Sequence, residues 1–296
     1  MRQLLLLFVF IIMAFICGAV LSFPLYKLLQ LFTDIPFHKI TSQLISLCGL
    51  AFIFLYLRFN KILNKTTAGF NPAQVSISRE VFTGMLMGMV IMLILAVIYL
   101  LMGILQPEPE LHFNLGFIFL LLIKAILSGV MVALIEETLY RGALLGGLSK
   151  TTNVLTAVIV SSGIYSAVHF IKLPHTQANA DINWATGFVI LSDSFNRFGD
   201  TAILDSFLTL FAFGVLFALV RLNKGNIFQC MGLHAGVVIA IKVINELTDY
   251  APGNNFEYLV SRDDKLLGFL ALFWLVTIIV IYLRYNFKDR VVSNPQ

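Results

Sequence analysis

Residues 115–146 read LGFIFLLLIKAILSGVMVALIEETLYRGALLG, a continuous and strongly apolar run. The charged residues inside it are Lys124, Glu136, Glu137 and Arg141. A helix needs roughly 20 mostly apolar residues to cross the hydrocarbon core of a bilayer, and this run exceeds that length. Its residues do not alternate between apolar and polar, as the strands of a membrane barrel would. The run therefore predicts a membrane-spanning helix.

The rest of the chain has the same character. Apolar residues make up 59% of the 296 and charged residues only 12%, whereas a soluble domain carries about 25% charged residues. Seven more stretches are long and apolar enough to span, near residues 3–28, 41–58, 82–105, 154–171, 203–221, 226–245 and 265–285. We predict an all-α, polytopic transmembrane bundle of about eight spans.

The charges predict the orientation of these spans. Lys and Arg are enriched in short cytoplasmic loops. With the N-terminus inside, twelve of the twenty basic residues fall on the inner side: Arg2, Arg58, Lys61, Lys65, Arg79, Arg141, Lys150, Arg221, Lys224, Arg284, Lys288 and Arg290. Most of the sixteen acidic residues fall on the outer side. We expect an integral protein of the cell inner membrane with both termini and loop 59–81 in the cytoplasm, and with loop 172–202 outside.

Two other classes of function are disfavoured. The net charge of +4 follows from this membrane asymmetry, so it does not indicate nucleic-acid binding, which needs a basic soluble face. Cys17, Cys48 and Cys230 fall in predicted spans without redox or metal-site spacing, which indicates packing residues.

Arg2 before an apolar run is also a feature of signal peptides, but the run continues past a signal core, and we expect an uncleaved helix.

Ionisable residues divide the chain into three regions. Residues 1–110 form the first three predicted spans, which lack unpaired charges and are expected to act as a scaffold. Residues 111–250 carry ionisable residues within the spans, where such groups are costly and indicate function. Residues 251–296 are expected to supply a last helix and a cytoplasmic tail. In the outer loop 172–202, an apolar piece around Trp184 is expected to dip back toward the membrane.

Two adjacent glutamates are the centre of the predicted site. On a helix, Glu137 faces Arg141 four residues later, and such a pair fixes an orientation. Glu136 is turned about 100° away, on the same face as Tyr140. An unpaired carboxylate beside a paired one can act as a general base. The alternative reading is a plain ion-pair cluster between helices.

Two histidines in separate spans accompany the glutamates. His169 follows Tyr165 by one helical turn, and His234 lies beside the small residues Ala235 and Gly236. A glutamate and two histidines can activate water in two ways. The glutamate can be the base while the histidines hold water and stabilise the oxyanion, or all three can bind a catalytic zinc. The sequence lacks both the H-E-x-x-H and the G-x-S-x-G signatures.

These three motifs together resemble a known family. The pattern E-E-x-x-x-R, then aromatic-x-x-x-His, then G-N-I followed by H-A-G is similar to that of the CPBP family. That family comprises the type II CAAX prenyl endopeptidases and the lysostaphin-resistance-protein-A-like membrane proteins. The resemblance covers about residues 120–250 and implies an intramembrane endopeptidase with a glutamate-activated water. It also implies a membrane-embedded or lipidated peptide or protein as substrate.

The resemblance assigns roles residue by residue. Glu136 matches the catalytic glutamate, and Glu137 and Arg141 match the rest of its motif. His169 and His234 match the two family histidines. If zinc were bound, the ligands would be Glu136, His169 and His234.

The chain departs from the family pattern at one position. Well-defined members have Asn or Asp four residues after the last histidine, where this chain has Val238. The sequence shows few partners that could fix the histidine rings for a metal, namely Tyr140, Tyr165 and Ser166. We therefore expect a metal-independent glutamate mechanism, with zinc as the alternative.

The alternative function is a non-catalytic immunity or regulatory protein that binds a peptide or membrane partner in the same cavity. A transporter is less well supported, because helices broken by Gly and Pro in both halves are missing.

Overall fold

The computed structural model describes residues 2–59, 65–71, 76–108, 114–170, 181–196, 199–251, 253–261 and 265–286. Its helices are α1 (Arg2–Leu29), α2 (Phe37–Phe59), α3 (Ile77–Leu101), α4 (Leu115–Glu137), α5 (Gly146–Leu148), α6 (Val154–His169), α7 (Thr186–Asn196), α8 (Leu204–Lys224), α9 (Phe228–Leu247) and α10 (Phe269–Asn286). A π-helical segment, Thr138–Leu145, joins α4 to α5, and strands β1 (Leu105–Pro107) and β2 (Thr248–Tyr250) pair antiparallel. Short 3-10 turns lie at Thr201–Ile203 and Glu257–Leu259.

The predicted all-α membrane bundle is confirmed. Each of the eight predicted apolar stretches forms a helix, and seven helices of the described residues are long and apolar enough to cross a membrane. The longest candidate, Leu115–Leu148, runs unbroken through the π-helical segment. The remaining predicted span is the shorter helix α6, which has 16 residues and ends at His169.

Glycines bring α3 and α9 into close contact. Gly84 and Gly88 are spaced as G-x-x-x-G on α3, and Gly232 and Gly236 have the same spacing on α9. A Cβ added at any of these four positions would lie 2.0 to 2.3 Å from a backbone carbonyl oxygen of the facing helix. Small residues at this spacing allow helix backbones to approach closely in a membrane. The sequence reading noticed only Gly236, because the pairing of two such motifs depends on which helices are neighbours.

The amino-terminal helices form a hairpin that packs on α7. The Phe10 ring meets Tyr56 edge to face at 5.8 Å between α1 and α2. Gly187 at the start of α7 lies against the Ala19 carbonyl of α1, where an added Cβ would be only 2.4 Å from that oxygen. Helix α7 therefore runs beside the middle of α1. The apolar piece of loop 172–202 does dip back along a spanning helix, while residues 172–180 and 197–198 lie outside the described residues.

Two contacts join segments that the charge partition places on the same side of the membrane. At one end of the bundle, Lys224 at the end of α8 lies 3.5 Å from Glu80 at the start of α3. At the other end, β1 after α3 pairs with β2 after α9. Segments predicted to share a side of the membrane are thus neighbours, although the orientation of the whole bundle stays a prediction.

We predict that the end carrying Lys65 is cytoplasmic and that the segment around Asp181 is external. Both residues are exposed, so each can be replaced by cysteine in a chain whose three native cysteines are changed to alanine. A membrane-impermeant maleimide added to intact cells should label Asp181→Cys. Lys65→Cys should be labelled only after permeabilisation. The opposite labelling pattern would reverse the topology.

Candidate active site

The Glu137 carboxylate lies at the centre of the site and is fully buried. Its Oε1 accepts a hydrogen bond of 3.2 Å from Arg141 Nη1 and one of 2.8 Å from His234 Nδ1. A buried charge is costly unless it is paired and hydrogen-bonded, and both partners reduce that cost here. The predicted Glu137–Arg141 pair is therefore present, and Glu137 also contacts a histidine from another helix.

Arg141 joins this carboxylate to α8. The guanidinium is buried, and its Nη2 donates to the backbone carbonyl of Gly214 at 3.2 Å. Its carbon lies 4.5 Å from the centre of the Tyr165 ring and 5.0 Å from that of Phe217. Aromatic faces attract a desolvated guanidinium. The side chain therefore has two hydrogen-bond partners and two aromatic rings to hold its orientation.

His234 is held as firmly as Arg141. Its ring is buried and stacks on Phe217 with centroids 4.9 Å apart. It lies between Gly232 and Gly236, the glycines that bring α9 against α3. Because Glu137 accepts from Nδ1, the other ring nitrogen, Nε2, is left to face Glu136.

His169 occupies the carboxyl end of α6. Its Nδ1 bonds to the Tyr165 carbonyl oxygen at 2.8 Å, and a carbonyl can only accept, so Nδ1 carries the proton. The ring also packs on Tyr165 with centroids 4.6 Å apart. Its Nε2 atom consequently faces Glu136 as well. His169 and Glu136 therefore face each other from separate helices.

The Glu136 carboxylate faces both histidines without touching either. Its Oε2 atom lies 3.9 Å from His169 Nε2 and 3.9 Å from His234 Nε2, and it has no hydrogen-bond partner. The side chains of Glu136 and His169 remain 25% and 32% exposed, whereas the Oε2 atom itself is buried. A separation near 4 Å is too long for a direct hydrogen bond but suits a water bonded to both sides.

The same three atoms are less well placed for zinc. Ligands of a tetrahedral zinc at about 2.0–2.1 Å are about 3.3 Å from one another, which is closer than the separations seen here. No three His, Cys, Asp or Glu side chains within the described ranges are arranged to hold a metal ion. Binding zinc would require Glu136 to move toward both histidines.

Comparison with protein families gives a match over this site. Residues 116–240 match the model of the family described as type II CAAX prenyl endopeptidase Rce1-like. The match covers less than half of the 296 residues, and this part of the chain is similar to that family. The matched residues run from the start of α4 into α9 and include all five predicted site residues. No curated protein and no solved structure matched the chain.

The structure of the matched residues 116–240 includes contacts that the sequence reading missed. That reading found few partners for the histidines, yet the Tyr165 carbonyl and the Glu137 carboxylate each bind one Nδ1. The predicted candidate Ser166 instead donates to the Phe207 carbonyl. Backbone carbonyls leave no trace in side-chain patterns, and the contact from Glu137 to His234 joins residues 97 positions apart.

One cavity borders the two histidines, and another borders Glu136. One, of about 260 Å³, is lined by His169, His234 and apolar side chains that include Val238. Val238, which stands where the family pattern described above has Asn or Asp, thus gives this cavity an apolar side chain. The other cavity, of about 300 Å³, lies between the α1–α2 hairpin and the core, with Glu136 in its wall. The amino-terminal helices thus line part of the cavity that includes Glu136.

We predict that Arg141→Ala strongly destabilises the protein. The change leaves the buried Glu137 carboxylate without its charged partner and removes the bond to Gly214. Breaking a buried pair by removing one member costs about 3–5 kcal/mol. Thermal unfolding in detergent should show a large loss for this variant. The exposed Arg58→Ala should stay within about 0.5 kcal/mol of the parent. Equal stability of the two variants would mean that the pair is solvated.

Proposed function

We propose that the chain is an intramembrane endopeptidase that uses Glu136 to activate water. The observation that supports this most is the convergence of three atoms, Glu136 Oε2 and the Nε2 atoms of His169 and His234. They come from two α-helices and the end of a third, and each histidine is fixed through its other nitrogen. A water held among them would be oriented before it reacts, which is the main requirement of general-base catalysis.

The two histidines differ in what they can do. His169 donates Nδ1–H to a neutral carbonyl, so in its neutral form Nε2 offers a lone pair to a water proton. His234 donates Nδ1–H to a carboxylate, which stabilises a positive charge on the ring as the aspartate of a serine-protease triad does. In the proposed mechanism His169 orients the water, and His234 stabilises the oxyanion through Nε2–H.

The proposed reaction needs one proton carrier. Glu136 takes a proton from the water as the water oxygen bonds to the scissile carbonyl carbon, and the carbonyl oxygen becomes an oxyanion near His234. The tetrahedral intermediate then collapses, the carbon–nitrogen bond breaks, and the departing nitrogen receives the proton from Glu136. The carboxylate is thereby restored for the next cycle.

Zinc is the alternative way to activate the same water. Glu136, His169 and His234 would be its ligands, and a bound zinc would supply a Lewis acid that lowers the pKa of water. The partners of both Nδ1 atoms are of the kind that metal-bound histidines have, which supports this alternative. The separations of 3.9 Å favour water as the bridging group.

We further propose that the substrate is a membrane-associated protein or peptide carrying an apolar group. The cavity next to Glu136 is lined mainly by apolar side chains of α1, α2, α4 and α6, such as Phe15, Ile45 and Ile164. An apolar chain placed there would leave an adjoining peptide bond near the Glu136 carboxylate. A prenyl chain, as the family description suggests, fits the chemistry of this wall.

We predict that Glu136→Gln abolishes peptide hydrolysis and leaves the fold intact. The amide keeps the shape of the side chain but cannot accept the water proton, and general-base catalysis contributes about 10²–10⁴-fold to rates. Cleavage of a prenylated CAAX-type peptide by purified protein measures this. Glu246→Gln, an exposed glutamate on α9, is the matched control and should be fully active.

Two outcomes of that assay would revise the proposal. Full activity of Glu136→Gln at normal thermal stability would remove Glu136 as the base. Stoichiometric zinc that is lost in the double variant His169→Ala, His234→Ala, with activity of the parent restored only by added metal after chelation, would favour the zinc mechanism. Absence of hydrolysis by the parent toward any membrane peptide would favour the non-catalytic binding protein, for which Val238 is the supporting observation.

We predict that Gly49→Leu weakens cleavage of substrates with an apolar chain. Gly49 of α2 lines the cavity beside Glu136, and a Cβ added there meets no atom within 4 Å. The new side chain would fill the cavity without straining the backbone. Because burying an apolar group contributes about 1.5–3 kcal/mol, kcat/KM for the prenylated peptide should fall by about tenfold or more. Ala51→Leu, an exposed position on the same helix, should have no effect.

A further inference from the structure

A second cavity with a different chemistry lies at the end of the bundle that the charges assign to the cytoplasm. It has a volume of about 420 Å³ and lies between loop 65–71, the π-helical segment with α5, and the end of α8. Six of its nine lining residues are cationic or carry a hydroxyl: the lining consists of Thr66, Thr67, Arg141, Leu145, Gly146, Ser149, Lys150, Arg221 and Leu222. Neither the family match nor the proposed mechanism assigns it a role.

The guanidinium of Arg221 is fixed in this wall. Its Nη2 donates to the Thr67 carbonyl oxygen at 3.2 Å, and its face packs on Gly69, where an added Cβ would be 2.7 Å from the guanidinium. Gly69 has a φ of 77°, which glycine adopts without strain. The buried Nε–H of Arg221 has no hydrogen-bond partner. An unsatisfied buried donor on a charged group is costly and indicates a ligand.

Lys150 reaches the same point from the turn after α5. Its Nζ donates to the Thr67 hydroxyl, so Thr67 contacts both cations, one through its side chain and one through its backbone. The close approach of Thr67 depends on Gly146, where an added Cβ would be 2.4 Å from the Thr67 carbonyl oxygen. Two cations thereby contact a single residue.

No carboxylate of the described residues neutralises these two cations. Glu80, the acidic residue at this end, pairs with Lys224 at 3.5 Å. Glu137 lies behind the cavity wall and is occupied by Arg141 and His234. Within the described ranges, neither Lys150 nor Arg221 has an ion-pair partner. Two neighbouring cations without a counter-charge repel each other and favour an anion between them.

We propose that this cavity binds a phosphate-type oxyanion at the inner surface of the membrane. Arg221 would donate through Nε and Lys150 would supply a point charge, the two kinds of contact by which proteins bind phosphate. The headgroup of an anionic phospholipid and a soluble phosphate present the same chemistry to this site. The proposal concerns binding alone and does not depend on the proposed proteolysis.

The experiment is thermal unfolding of the purified, delipidated chain in a neutral detergent at constant ionic strength. The added probes are inorganic phosphate, dioctanoyl phosphatidylglycerol and dioctanoyl phosphatidylcholine. A ligand that binds only the folded protein raises the midpoint in a saturable way. A rise with phosphatidylglycerol but not with phosphatidylcholine identifies a lipid headgroup, and a full rise with inorganic phosphate identifies a soluble phosphate. No rise with either anion, or equal rises with both lipids, overturns the proposal.

Two variants locate the effect. Lys150→Gln should raise the half-saturating concentration of the active probe by about tenfold, the loss expected for one charged hydrogen bond. Thr66→Glu, at an exposed position lining the cavity, removes no side-chain contact and should abolish binding by placing a carboxylate there. Lys124→Gln changes an exposed lysine in the first half of α4, which does not line the cavity. It is the control and should bind like the parent. Unchanged binding by Thr66→Glu would place the anion elsewhere and overturn the assignment.

Discussion

The site depends on a carboxylate that has no access to water. Glu137 is fully buried, and one of its oxygens serves both Arg141 and His234. Because Arg141 also bonds to Gly214, this single charge connects the end of α4 with α8 and α9. Moving any of these helices would leave a buried charge unpaired, which is among the most destabilising changes a protein can undergo. The position of the His234 ring therefore follows from the electrostatics of the core.

Close helix packing makes that arrangement possible. The paired glycine motifs of α3 and α9 remove the side chains that would separate the two backbones, so α9 is held on a helix outside the family match. His234 lies between the two glycines of α9 and points the opposite way, toward Glu137 and Glu136. In a soluble protein, burying apolar area would hold such a helix in place. In a membrane the lipid tails are as apolar as the neighbouring helix, so that burial contributes little. Backbone proximity and polar contacts fix the histidine instead.

The two cavities next to the matched residues 116–240 have different chemistry. Toward the α1–α2 hairpin the wall is apolar and includes Glu136, which suits a substrate that arrives through the bilayer. Toward the inner end the wall is cationic and backs onto Arg141, which also holds Glu137. The chain thus has an apolar cavity beside Glu136 and a second cavity with cationic side chains at the end that the charges assign to the cytoplasm. Arg141 is the residue that these two environments share.

The sequence by itself determined the membrane bundle and the approximate position of its spanning helices, and it nominated five candidate site residues. Spanning length, charge asymmetry and motif spacing are local properties of the chain, so they can be read without knowing which helices are neighbours. Only the tertiary structure decided that the hydrogen bond from His234 goes to Glu137 and not to Glu136. The same is true of the backbone carbonyl that orients His169, and of Thr67, which contacts both Lys150 and Arg221. Each of these contacts depends on how separate helices pack. The physical reason is that residue spacing shows which side chains share a face of one helix, but it does not show which helix packs against that face. The partners of a hydrogen bond between helices are set by that packing.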